Sequence, residues 1–101
     1  MKDFKTFNLA VNFYRLSRGL KVCGPLKEQL TRASSSIALN LAEGRGRATK
    51  ADQSRFFQIA MGSVRECQAI LMLADLQSSQ AWMVLDSVAA HLYKLIKNCR
   101  G

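Results

Sequence analysis

A single proline and six glycines punctuate 101 residues. A fold of many short strands needs far more turn chemistry, so long helices are favoured. Cysteine is scarce as well. Cys23, Cys67 and Cys99 are an odd number with no C-x-x-C spacing, which argues against a disulfide framework and suits a reducing cytoplasm. Cys67, among apolar neighbours, reads as a small core residue. The one histidine, His91, lies between Ala90 and Leu92 with no H-E-x-x-H or Cys/His cluster around it, so no metal and no cofactor is expected. Glu43 and Glu66 are the nearest thing to a catalytic carboxylate pair. Nothing positions a substrate between them, and an enzyme is not expected. Long apolar runs are missing too. No uncharged stretch exceeds ten residues (33–42 and 76–85), against roughly 20 for a bilayer span, and the start, MKDFKTFNL, lacks the apolar run of a signal peptide. The expectation is a soluble, cytoplasmic protein with no membrane partner.

Acidic residues are few: seven against 15 Lys/Arg, for a net charge of +8. The imbalance is lopsided. Residues 1–50 carry ten Lys/Arg against three acids, whereas residues 51–101 carry five against four. A basic half fits a polyanion partner, nucleic acid or an anionic surface; it fits a solvated, solubilising surface equally well. Apolar residues make up 49% and charged ones 22%, ordinary globular proportions that argue against disorder. The length suits one domain over residues 1–101.

What is present is helical spacing, with apolar residues recurring at three and four and never alternating. It predicts helices over about 3–22, 26–43, 50–77 and 80–98. Their seams are Leu9, Phe13, Leu16 and Leu20; Leu26, Leu30, Ala33, Ile37 and Leu41; Phe56, Ile59, Ser63, Cys67, Ile70 and Ala74; Leu85, Val88, Leu92, Leu95 and Cys99. Gly24-Pro25 divides the first pair. Gly44 stands where a left-handed C-terminal cap is wanted. Thr49 caps the third helix, with Asp52 in its first turn. Ser78-Ser79 is a weak break before the fourth. Short connections make successive helices antiparallel, so the fold class is all-α, an up-down-up-down four-helix bundle. The third segment carries a second stripe, Phe57, Met61, Val64 and Leu71, on a helix roughly 40 Å long. One stripe normally suffices for a surface helix. A broad stripe buried within one subunit would read the same way; the length of the segment favours a seam between subunits of a homo-oligomer.

Between the second and third helices runs EGRGRATKAD. It is not a dinucleotide fingerprint, having only G-x-G and no preceding strand, nor a P-loop. It presents Arg45, Arg47 and Lys50 close together, where glycine lets a backbone approach phosphate and arginine grips it. A helix C-terminus also simply welcomes cations, and both readings stand. Arg15, Arg18, Lys21 and Lys27 form a second basic group near the first junction and are possible extensions. No aromatic residue interleaves with the basic tract, so base stacking is not expected of it and sequence preference should be weak.

QLTRASSSIALNLAEGRGR followed by RFFQIAMGSVRECQAIL resembles the bacterial four-helix-bundle family of 23S ribosomal RNA intervening-sequence proteins, which includes the accessory proteins of diversity-generating retroelements. Arg32-Ala33, Ser36-Ile37, Asn40 to Gly44 and the Phe57…Ile59-Ala60…Gly62-Ser63…Glu66 run carry the likeness. It implies an antiparallel bundle assembling into a five-subunit ring. It also implies a non-catalytic role as an accessory that binds RNA or DNA and a protein such as a reverse transcriptase. An oligomeric scaffold or adaptor, with its basic surface incidental, is the alternative. The chain departs from the family in the tight link KVCGPLKEQL, where the family commonly has a longer, aromatic- and proline-containing one. Within the motif, Asn40 shares a helix side with Ile37 and Leu41, and Glu66 lies beside Cys67 and Ile70. Polar groups there need partners if buried, which suggests a cross-helix network of Ser36, Asn40, Ser63 and Glu66, with Arg32. Gly62-Ser63 would let a neighbouring helix approach closely.

Overall fold

The structure, a computed structural model, describes residues 3–99. Among them are four helices and no strand: α1 (Lys5–Arg18), α2 (Pro25–Arg45), α3 (Lys50–Leu73) and α4 (Gln80–Cys99). Each helix packs against two others, α1 on α2, α2 on α3, α3 on α4 and α4 back on α1, with no diagonal pair in contact. The body measures 40 × 21 × 21 Å. Phe13, Ile37, Leu41, Leu71, Leu85 and Leu92 are its largest fully buried side chains, so all four helices feed one core.

The helix ends have local causes. Gly24 sits at φ 59° as the N-cap of α2, a left-handed position open to glycine, and Pro25 follows at the first helical position. Thr49 accepts the Asp52 N–H at 3.1 Å to cap α3, and Ser79 does the same for Trp82 at 3.2 Å ahead of α4. The expected bounds shift in three places. α1 stops at Arg18 instead of running to Val22, because Gly19 and Leu20 close the last turn onto Leu16 and Ser17. α3 stops at Leu73, four residues early. Asp75 there takes φ 57° while Leu76 N–H reaches back to Leu71 O at 2.8 Å and Asp75 N–H to Met72 O, a Schellman ending built without glycine. α2 runs on to Arg45, which puts Gly44 inside the helix. The cap is Gly46, at an ordinary φ of −82°.

Gly44 therefore has a different use from the left-handed cap expected of it. It is buried, and a Cβ built on it would stand 2.7 Å from Phe57 Cε1 and 3.1 Å from Phe56 Cβ. The missing side chain is what lets the end of α2 close on the start of α3. Gly62, expected to play that part, has nothing within 4 Å of a built Cβ.

The stripe assigned to a subunit seam is likewise corrected. Phe57, Val64 and Leu71 are buried in the chain's own core, and Met61 packs half-buried against it. α3 touches both α2 and α4, so it needs an apolar arc wide enough for two neighbours. What looked like two stripes is one broad arc. Within it, Ile59 was expected to be core and is exposed.

Candidate functional site

The residues that end α2 and begin α3 surround a pocket of about 320 Å³. Phe4 lines it from just before α1, Arg45 from the last turn of α2, Lys50, Gln53 and Phe57 from the start of α3, and Leu95, Asn98 and Cys99 from the end of α4. Two helix N-termini and two C-termini thus meet there, and their opposed dipoles largely offset one another. The side chains decide the local field. Both charged side chains lining the pocket are cations, Arg45 and Lys50.

Arg45 is held in place by its own flat face. Its guanidinium lies 4.6 Å from the centre of the Phe4 ring, and Phe4 is buried and stacked with Phe7 at 6.4 Å. Stacking occupies the face of a guanidinium and leaves the N–H donors around its edge available. Lys50, exposed, opens α3 beside it. Arg45 and Lys50 enter no ion pair among the described residues.

Arg47 does not join them on equal terms. It bonds Glu43 at 3.0 Å, and its guanidinium lies 4.6 Å from the Phe56 ring, which Arg55 approaches at the same distance. Its Nε is buried without a hydrogen-bond partner. Gln53 fixes the loop by donating to Arg47 O at 3.1 Å. The expected trio is thus two open cations and one already engaged. Aromatic rings, absent from the tract in sequence, are brought to it in space.

A sequence model of the 23S rRNA-intervening sequence protein family matches residues 4–98, nearly the whole chain. The chain belongs to that family. No curated protein matches it. For this family member the sequence resemblance is thereby upheld, and the match also takes in α1 and α4, beyond the stretch that suggested it.

The second basic group lies elsewhere. Arg15, Arg18, Lys21 and Lys27 are exposed around the α1–α2 junction, Arg18 lying 5.9 Å from the Tyr14 ring. The length of α2, roughly 30 Å for 21 residues, separates them from Arg45.

The expected polar network is half there. Asn40 Nδ2 donates to Ser36 O at 2.9 Å and to Ser36 Oγ at 3.0 Å, and Ser63 Oγ donates to Ser36 Oγ at 2.9 Å across the α2–α3 contact. Glu66 and Arg32 are not in it. Both are exposed, since their positions turn outward from the seam that holds Ser36 and Ser63. The carboxylate still acts on its neighbour: burial, then the charge of Glu66, pushes the Cys67 thiol up to about 12. His91 Nδ1 lies 2.8 Å from Ser87 O within its own helix. Among the described residues no group of His, Cys, Asp and Glu is placed to hold a metal ion, and no helix is long and apolar enough to cross a membrane.

Two features escaped sequence reasoning. Ser17 and Ser34 are buried where α1 meets α2, Ser17 donating to Tyr14 O at 2.8 Å and Ser34 to Thr31 O at 3.1 Å. Serine is common on surfaces, and nothing in its spacing marks it as core. Leu39, Met72, Leu73 and Met83 are exposed apolar residues. Their offset from each seam is what turns them outward.

Proposed function

We propose that this protein is a non-catalytic, basic accessory protein that binds the phosphate backbone of RNA or DNA at the Arg45–Lys50 mouth. The observation that carries the reading is that two cations, in no ion pair among the described residues, stand at one mouth with the amides of Gln53 and Asn98, and no carboxylate of the described residues lines it. A phosphate meets in-plane donors from Arg45 and a mobile ammonium from Lys50. Such contacts position a backbone and carry little sequence information. Arg15, Arg18, Lys21 and Lys27 form a second phosphate patch at the other end of α2. Membership of the 23S rRNA-intervening sequence family agrees with an RNA partner.

The bundle takes the up-down-up-down course. Gly44 meets Phe57 while Ser36 meets Ser63, an order of contacts that supports opposite directions for α2 and α3. The assembly is a homo-oligomer, five-membered by resemblance to the family. Its contacts are sought among Leu39, Ile59 and Leu73, which are exposed, and not in the buried Phe57 stripe. Met72 and Leu73 at the end of α3 and Met83 near the start of α4 are exposed and favour a second reading, an adaptor for another protein such as a reverse transcriptase.

Replacing Arg45 and Lys50 by glutamine tests the first reading. Affinity for RNA and for DNA is expected to fall together. For duplex, the slope of log K against log salt is expected to become shallower by about 1.8, the loss of two phosphate contacts. A folded double variant that keeps the parent's affinity and slope removes the mouth from function.

A further inference from the structure

A second groove, of about 500 Å³, lies between α3 and α4 and is not used by the Arg45–Lys50 mouth. Gln58, Gly62 and Arg65 line it from α3, spaced so that they share one side of the helix; Tyr93 and Lys97 face them from α4, one turn apart. The groove stays open because Gly62 puts no side chain into it, and a Cβ there would touch nothing within 4 Å. Tyr93 is 64% exposed, an aromatic face that the chain leaves uncovered. Arg65 and Lys97 are exposed; among the described residues they enter no ion pair and are the only charged side chains lining the groove.

We propose that this groove is a stacking subsite for single-stranded nucleic acid. A base lies on the Tyr93 ring, and Arg65 and Lys97 hold the flanking phosphates. The inference rests on the nucleic-acid reading above and deepens it. An aromatic surface between cations is the arrangement that single strands require, since every base offers a flat face and every linkage a charge. A duplex keeps its bases stacked on one another and offers Tyr93 nothing to cover. A second copy of this chain carries a net charge of +8 and is on balance repelled by Arg65 and Lys97.

The test measures anisotropy of a short fluorescein-labelled oligouridylate, and of a labelled duplex, on the full chain. Tyr93→Ala is expected to weaken the single strand by roughly tenfold, the usual scale of one lost base stack, with the duplex unaffected. Tyr93→Phe keeps the flat face and is expected to bind as the parent does. Irradiating the parent with a bromouridine-substituted strand is expected to place the adduct on the peptide holding Tyr93, a readout that needs no variant. Equal single-strand affinity in Tyr93→Ala and parent, or adducts only elsewhere, overturns the subsite while leaving the Arg45–Lys50 mouth standing. A fall in assembly mass of Tyr93→Ala by light scattering also overturns it, because the groove is then a contact between copies. A parent that binds neither probe removes the nucleic-acid reading as a whole.

Discussion

At the scale of single residues, the two glycines on either side of Phe57 make opposite demands. Gly44 is needed for its emptiness, because Phe57 occupies the space a methyl group would take and is itself core. Gly44→Ala gains about 1 kcal/mol of helix propensity and meets an overpacking cost of about 1–3 kcal/mol. A net loss is expected, seen as a melting temperature several degrees lower. Gly62→Ala meets no neighbour in the chain and is expected to gain up to about 1 kcal/mol. If its melting temperature falls instead, another molecule covers Gly62. Cys67 makes a chemical prediction. Its thiol is fully buried and raised to about 12, from burial first and the Glu66 carboxylate second. An unfolded thiol ionises near 9.0, so the folded chain holds its proton more tightly. The resulting stabilisation is complete below about pH 9 and is lost as pH rises towards about 12. Alkylation at neutral pH is expected to modify the exposed Cys23 at once and Cys67 only after denaturant is added. Equal rates at both would show that the α3 core opens readily.

At the scale of the helices, the α2–α3 contact has a polar lock on its flank. Ser63 reaches Ser36 across it and Asn40 steadies Ser36 from the same helix. Ser63→Ala removes the bond from Ser63 to Ser36 across the α2–α3 contact and is expected to cost about 0.5–1.5 kcal/mol; Glu66→Gln, outside the lock, is expected to melt like the parent. The reverse order of effects would return Glu66 to the network. Three of the five proposed members were legible in sequence, because Ser36, Asn40 and Ser63 sit at helical spacing on facing seams. Arg32 and Glu66 were not excluded by that spacing, since a position next to a seam is read as inside or outside only when the rotation of the helix is known. The same limit explains the Phe57 stripe. Spacing found its residues correctly, but it does not say whether a wide arc faces two neighbours in the chain or one neighbour in another chain. Helix starts were legible from Pro25 and Thr49. The end of α3 was not, because Asp75 takes the left-handed position that sequence assigns first to glycine. Of the candidate site, Arg45 and Lys50 were found by their charge. Phe4, Asn98 and Tyr93 come from helices distant in sequence and needed the fold.

At the scale of the whole molecule, the question left by the corrected seam is what covers the outside of α3. Ile59, Glu66, Ala69 and Leu73 are all exposed and recur at seven, three and four along it, so they lie on one side of the helix, beside the groove that Gly62 lines. Leu39 adds to the exposed apolar surface from α2. A +8 chain would be expected to stay apart from its copies on charge alone. Apolar contact at this stripe opposes that repulsion, and added salt screens the repulsion while leaving the contact in place. Light scattering with in-line chromatography is therefore expected to give a mass above the 11.3 kDa of one chain, and the mass should hold or rise as salt increases. Ile59→Glu and Leu73→Glu, both at exposed positions, are expected to lower that mass without lowering the melting temperature of the isolated chain. The proposed nucleic-acid binding should then weaken as well, because the proposed ring would repeat one modest basic site many times and a monomer offers it once. A monomer at micromolar concentration across the salt range would sink the oligomer, and the Arg45–Lys50 mouth would have to act alone.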